Sequence, residues 1–436
     1  MRNGIVWLLL IVAAPSLAQT SRHDQRIRQL ATELEPKLIA WRRDIHQNPE
    51  LSNREFRTSA LVANHLRSLG LRVDTGIAKT GVVAVLQGGK PGPVIALRAD
   101  MDALPVTERA NIPFASKVKS TLNGQEVGVM HACGHDSHVA IMMTVAELLS
   151  KMKSDIKGTV KFIFQPAEEG PPIGEEGGAE LMVKENVLKN PDVEAIFGLH
   201  IDALLDAGNI TYRPGGFYAA VNDMKITIKG RSSHGAAPWN SVDPIVVAAQ
   251  IINNLQTIVS RNLNITENPG VVTIGSIHGG NRSNIIPEQV ELVGTLRALS
   301  DADEALLIKR VKEIVTNTAK AMGAEAEILL PHTIHYPVTF NDSLLTEKML
   351  PVLQRSAGKE KVRLRQPKTG AEDFSFFQKE VPGLFFNLGG KTPGNTNVAD
   401  HHTPDFYLDE SGFRVGVITL ANLVFEYANN PILRKR

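Results

Sequence analysis

The sequence predicts an α/β protein: a main domain built on a mostly parallel sheet flanked by helices, with an inserted α+β domain of the open-faced sandwich type. Three observations predict it. The apolar run Val94–Leu97 is continuous rather than alternating, as a strand buried on both faces is, and Val160–Phe164 reads as a further strand. They alternate with segments of helical periodicity, the order that builds a parallel sheet. From about residue 214 to 330 the texture changes to half-exposed strands in β-α-β-β-α-β order, the pattern of a separate sandwich.

At 436 residues the chain has room for more than one domain. It is 43% hydrophobic and 21% charged, with a formal net charge of +1. That near-balance gives no electrostatic handle on nucleic acid or an anionic membrane. Aromatic residues are 5%, too sparse for a base-stacking platform. Residues 1–18 read as a secretory signal peptide: Arg2, the apolar run Ile5–Ala14, then Ser16-Leu17-Ala18 before a new N-terminus at Gln19. The apolar run falls short of the ~20 residues that span a bilayer, so cleavage is expected rather than anchoring. The mature protein is then periplasmic or extracellular, with no stable membrane insertion.

The mature chain divides into a first part of the main domain at 19–213, the insertion at 214–330 and a second part at 331–436. Ile27, Leu30, Leu34, Leu38, Trp41 and Ile45 recur at helical spacing, with Pro36 expected to break or kink the helix. A second helix spans Arg54 to Leu69, stopped by Gly70. Strands follow at Val82–Leu86 and Val94–Leu97, the latter running into Arg98-Ala99-Asp100-Met101-Asp102. Val139–Leu149 is apolar enough for a buried helix. The strand Val160–Phe164 ends in Gln165-Pro166-Ala167-Glu168-Glu169-Gly170. A Gly- and Glu-rich loop, Pro171–Gly178, leads to a helix through Leu188, and the strand Ala195–Leu199 ends at His200. In the insertion, strands are expected at Val221–Ile228, Val271–Ile277, Gln289–Leu296 and Ala326–Leu330, with helices at 243–260 and 303–322. The chain then returns to α/β character: helices at 342–357 and 372–379, a strand at 384–388 and a terminal helix from 409.

Ligands of parallel sheets bind beyond the carboxyl ends of strands. Asp100, Asp102, Glu168, Glu169 and His200 all fall there. The stretch from Met130 to His138 holds the sole cysteine, Cys133, beside His131, His135 and His138. A lone thiol in an exported protein forms no internal disulfide, and ligation to a metal would protect it. Adjacent carboxylates at Glu168-Glu169 repel, and burying both is costly without a cation. A cation on one would leave the other to act as a base. Cys133, His135, Glu169, His200 and one of His401 and His402 would supply ligands for two divalent ions. Thiolate, imidazole and carboxylate together suit zinc, manganese, cobalt or nickel better than calcium or magnesium. Such a pair of ions acidifies a water and polarises an amide carbonyl, and Glu168 fits the proton carrier. His234, read from the residues alone, is an ordinary loop histidine. A lid closing over the cleft, or a dimer partner, would make it a donor to the oxyanion.

The set resembles the di-metal aminoacylase–carboxypeptidase superfamily. Within it the closest likeness is to the amidohydrolase branch of hippurate hydrolase, N-acetyl-amino-acid deacetylases and plant indole-acetyl-amino-acid hydrolases. The likeness covers residues 25 to 428. It is carried by Trp41-Arg42-Arg43-Asp44-Ile45-His46 with Pro49-Glu50-Leu51-Ser52, by Arg98 to Pro105, by His131 to Asp136 and by Gln165 to Gly170. Ser233-His234 with Pro238, Asn284-Ile285-Ile286-Pro287 and Gly370-Ala371-Glu372-Asp373-Phe374 add to it. The resemblance implies Cys133, His135, Glu169, His200 and His402 as metal ligands, His402 because His402-Thr403-Pro404 matches the family's His-x-Pro. It implies Glu168 as general base, His234 as the lid-domain residue at the reacting carbonyl and Asp102 as an aspartate behind the metals. Asn284 and Arg297 are implied as substrate contacts. Dipeptidase and carboxypeptidase relatives carry His-x-Asp where this chain has Asp100-x-Asp102, and an acidic residue where Cys133 stands. The loop Pro171–Gly178 is longer than in the plant enzymes.

The expected activity is metal-dependent hydrolysis of N-acyl amino acids to a carboxylate and a free amino acid. A metallo-dipeptidase or carboxypeptidase acting on unblocked peptides is the alternative. A non-catalytic metal- or ligand-binding protein on the same fold has no use for Glu168, and a structural zinc site closes with four ligands, fewer than are present here. Expected partners are a small N-acyl amino acid or short peptide, no nucleic acid, and a second copy of the chain through the inserted domain.

Overall fold

The computed structural model describes residues 14–432, with side chains from Arg22 onward. The expected leader lies outside the described residues as far as Ala13. Among the described residues no helix is long and apolar enough to cross a membrane. The chain divides into two compact units, one made of the segments up to Tyr212, Asp342–Arg365 and from Lys379, the other of Arg213–Asn341 and Gln366–Gln378.

The first unit carries an eight-stranded sheet: β1 (Arg72–Ile77), β2 (Gly81–Gln87), β3 (Lys90–Asp100), β4 (Lys157–Gln165), β5 (Ala195–Asp206), β6 (Ile210–Tyr212), β7 (Val362–Leu364) and β8 (Gly383–Lys391). Their order is β1-β2-β4-β3-β5-β8-β6-β7. The central strands β4, β3, β5 and β8 run parallel, and β1, β2 and β6 join antiparallel. The centre is buried on both faces, which is why Val160–Phe164 and Leu384–Leu388 are apolar but for Lys161 and Asn387, both themselves buried.

Helices α1 (Ala14–Gln47), α2 (Phe56–Ser68), α3 (His135–Lys151) and α4 (Phe413–Asn429) share one apolar core with this sheet. α1 runs on through Pro36, against the expected break. Ile27, Leu30 and Leu34 before the proline and Leu38 and Ile45 after it are buried in the same core. Each such side chain contributes roughly 1.5–3 kcal/mol when fully buried, enough together to offset the hydrogen bond a proline removes. α3 begins at His135 rather than Val139, so His135 and His138 sit three residues apart on its first turn. β5 continues past His200 to Asp206, because Leu388 and Gly389 of β8 extend the parallel ladder to Ile201 and Asp202. His200 is therefore within a strand, not at its end.

In the second unit the strands Ala220–Lys229, Val271–His278, Gln289–Ala298 and Glu325–Leu329 form one antiparallel sheet. The helices Pro244–Arg261 and Asp301–Ala321 bury Val247, Ile251, Leu255 and Ile258, and Leu307, Val311, Val315 and Ala319, in a core with Met224, Ile226 and Ile228. Both helices are capped as their sequences dictate. Asp243 accepts the amides of Ile245 and Val246 ahead of Pro244, and Ser300 accepts that of Asp303. This unit outruns the insertion drawn at 214–330. His335–Tyr336 pairs with the strand Ala220–Lys229, Thr339–Asn341 pairs with Gly215–Tyr218, and residues 366–378 also belong to it.

Candidate metal centre

Within the first unit, five chain segments converge. β3 delivers Asp100 and, past its end, Asp102. The turn before α3 delivers Cys133, and the first residue of α3 is His135. The turn after β4 delivers Glu168 and Glu169, β5 delivers His200, and the loop before α4 delivers His401 and His402. The turn before α3 is shaped by Gly134, whose φ of 93° favours glycine, and where an added Cβ would meet Ile201 Cγ2 at 2.4 Å.

Each histidine is oriented from behind. His200 Nδ1 donates to the carbonyl of Ile201 at 2.6 Å, so the Nε2 lone pair faces Cys133 Sγ, 3.4 Å away. His135 Nδ1 faces Asp102 Oδ1 at 3.2 Å, and its Nε2 is buried with no hydrogen-bond partner. His138 Nε2 accepts the amide of Ile201 at 2.8 Å, leaving Nδ1 to donate to Asp100 Oδ1 at 2.5 Å. Asp100 is held in turn by Arg98, fully buried, at 2.7 Å. An imidazole with one nitrogen fixed by a carbonyl or carboxylate and the other bare is the usual arrangement of a metal-binding histidine.

Asp102 supports the acidic turn. Its Oδ1 accepts the amide of Glu168 at 3.1 Å, and its Oδ2 accepts the amide of Glu169 at 3.0 Å and the hydroxyl of Ser52 at 2.7 Å. Glu169 Oε1 lies 3.1 Å from His402 Nε2 without the geometry of a hydrogen bond. His402 reaches it from a left-handed backbone, φ 64°. His401 turns the other way. Its Nε2 accepts the amide of Ala203 at 3.1 Å, so its Nδ1 carries the proton and faces Cys133 Sγ at 3.7 Å.

The donor atoms of Cys133, His135 and His200 lie within 4.8 Å of one another, and so do those of Cys133, Glu169 and His402. Two triads sharing one sulfur match the donors two cations need. The electrostatics ask for the same thing. Burial, with Glu169, Glu168 and Asp100 nearby, pushes the Cys133 thiol well above its ordinary range. Burial opposes a proton on His135, but Asp100 and Asp102 outweigh it and push the imidazole up to about 10. A cluster this acidic is built around positive charge, and the unbonded His135 Nε2 and Glu169 Oε1 are where a metal fits.

The remaining expected site residues belong to the second unit. His234 pairs with Ile285 in a two-residue ladder, and Gly235 donates to the carbonyl of Asn284 at 2.8 Å, so His234 and Asn284 share one corner. The amide of Ala236 donates to His234 Nδ1 at 3.0 Å, which leaves the ring proton on Nε2. Arg297 lies elsewhere in that unit, half-buried on the strand Gln289–Ala298, its pKa lowered by burial. The sequence places Asp100 beyond a strand end, His138 beside Cys133 and Ser52 in a stretch carrying the resemblance, but not the hydrogen bonds by which they support the site.

The parallel sheet, its cation-seeking cluster and the separate α+β unit place the chain among the metal-dependent hydrolases of amide and peptide bonds. A profile of peptidase family M20/M25/M40 matches residues 96–426, and the chain belongs to that family. It is 37% identical over 406 residues to thermostable carboxypeptidase 2 of Saccharolobus solfataricus, covering 93% of this chain and 99% of that one. It is 38% identical over 389 residues to an N-acetylcysteine deacetylase of Bacillus subtilis, covering 89% and 96%. The solved structure of the Bacillus subtilis YxeP protein, described as a dinuclear metal binding peptidase of the M20 family, is 34% identical. It superposes with a TM-score of 0.75, covering 91% of this chain and 99% of that one.

Proposed function

We propose that the protein hydrolyses the amide bond of N-acyl amino acids, releasing a carboxylate and a free amino acid. The observation that carries this is the pair of triads sharing Cys133, with a further carboxylate, Glu168, beside them. Cys133, His135, Glu169, His200 and His402 would hold two divalent ions, of zinc, manganese, cobalt or nickel type. Bound there, the ions supply Lewis acidity, acidifying a water and polarising the scissile carbonyl. Glu168 takes the water's proton as the carbon–oxygen bond forms and returns it to the departing amine as the carbon–nitrogen bond breaks. Asp102, through the amides of Glu168 and Glu169, keeps both carboxylates in register. His234 is assigned the donor to the developing oxyanion. That role rests on the Nε2–H tautomer and on the resemblance. Asn284 and Arg297 are assigned to substrate.

The deacetylase relative supports a blocked substrate, and the carboxypeptidase relative supports a second reading, cleavage of unblocked peptides. Release of free amino acid from N-acetyl and N-benzoyl amino acids, assayed beside unblocked dipeptides on metal-loaded protein, separates them. Preference for blocked substrates is expected, and preference for dipeptides would move the assignment to a peptidase. We also propose export, on the pattern of residues 1–18. N-terminal sequencing of the protein from its native cells should begin at Gln19, and a start at Met1 would refute cleavage.

A further inference from the structure

We infer that Glu55 is a positioning residue for the Glu168–Glu169 pair, holding by direct hydrogen bonds the strained turn that presents them. The inference rests on the reading of Glu168 as base and Glu169 as ligand.

Glu55 is fully buried at the entry to α2. Its Oε1 accepts the amide of Ala167 at 2.9 Å and that of Asn53 at 3.0 Å, and its Oε2 accepts the hydroxyl of Thr80 at 2.5 Å. Ala167 has a φ of 51°, in the left-handed region that alanine avoids. Such a residue persists only where its surroundings over-determine it. Here three successive amides are each committed to a carboxylate: Ala167 to Glu55, and Glu168 and Glu169 to Asp102. With the backbone anchored from behind, Glu168 Oε2 and Glu169 Oε1 stand 3.8 and 3.9 Å from the unbonded His135 Nε2.

The same short turn grips the site at two further points. Ser52 bonds Asp102, and Asn53 Nδ2 donates to Glu175 Oε2 at 3.0 Å and to the carbonyl of Glu176 at 3.1 Å. Residues 52–55 therefore hold the aspartate behind the metals, the start of the acidic turn and the loop that follows it. Burial, reinforced by the charge of Asp102, pushes Glu55 up to about 8. No cationic side chain bonds to it among the described residues. A carboxyl kept at that cost, with every bond spent on backbone and a hydroxyl, is placed for reach rather than for charge.

Reach and charge are separable. Glu55→Gln keeps the length and an oxygen for Ala167 and Asn53, and the Thr80 hydroxyl can turn to accept from the new amide. Glu55→Asp keeps the carboxyl group but is one methylene shorter. Both are made in the full chain beside Glu55→Ala. Manganese affinity is read by competition with a chromogenic chelator, kcat and KM are measured on an N-acetyl amino acid, and the metal-free forms are melted. Expected for Glu55→Gln is affinity and kcat within about threefold of wild type. Glu55→Asp should lose about 10–100-fold in metal affinity, as loss of a ligand's support does, with kcat reduced and KM near normal. Wild-type behaviour of Glu55→Asp would overturn the inference, and so would a Glu55→Gln as impaired as Glu55→Asp. If Glu55→Ala does not fold, the other pair decides. If the wild type cleaves neither blocked nor unblocked substrates, the proposed function falls. The manganese affinities of Glu55→Gln and Glu55→Asp still decide the role of Glu55.

Discussion

Replacing Glu168 by glutamine is expected to lower kcat on the order of 10²–10⁴-fold while both metal ions remain bound. Glutamine matches glutamate in shape but has no basic oxygen to take a proton from water. The substitution leaves the backbone untouched, so the amides of Glu168 and Glu169 still bond Asp102, and Glu169 keeps its place beside His402. Metal content by elemental analysis and steady-state kinetics on one N-acyl substrate check both halves. A near-normal kcat would show that Glu168 is not the base. Loss of metal together with activity would place Glu168 among the ligands, a reading its proximity to His135 and Glu169 makes worth excluding.

Cys133→Ala is expected to have the second large effect, on metal content and on stability together. The thiol belongs to both triads, so its loss removes a donor from each. A ligand set that binds only the folded state stabilises it by RT ln(1 + [M]/Kd), about 2.7 kcal/mol at a hundredfold excess over Kd. The wild type should therefore melt higher on adding manganese or zinc and lower after chelation, while Cys133→Ala should melt at nearly one temperature in both conditions. Undiminished metal in the variant would remove Cys133 from the ligand set.

Much of this was legible in the sequence where one physical cause dominates. Strands buried on both faces are mostly apolar, so the central stretches of β3, β4, β5 and β8 stand out in the sequence. Edge strand β1, Arg-Val-Asp-Thr-Gly-Ile, faces solvent along most of its length and left no such run. The hairpin Lys119–Leu122 with Gln125–Gly128 is marked in the sequence by its turn. Its turn is Asn123-Gly124, with φ of 51° and 78°, the pair that two-residue hairpins demand. Metal-ligating residue types are few and chemically distinctive, so Cys133, His135, Glu169, His200 and one of His401 and His402 stand out in the sequence, and the choice of His402 comes from the resemblance of His402-Thr403-Pro404 to the family's His-x-Pro. Of their supports only Asp102 stands out, through the resemblance. Ser52, Glu55 and Thr80 are ordinary polar residues whose importance comes from Asp102 and Ala167, tens of residues away in the chain. The limits of the inserted unit were likewise blurred, since residues 335–341 and 366–378 join it by non-local pairing and packing that no local pattern marks.

The most direct single measurement is anomalous diffraction from crystals of the protein reloaded with manganese or zinc. Two peaks are expected within the cluster, ligated by Cys133, His135, Glu169, His200 and His402, with the carboxylate of Glu168 outside both coordination shells. One peak closed by four protein ligands, or none after saturating metal, would contradict the di-metal hydrolase assignment.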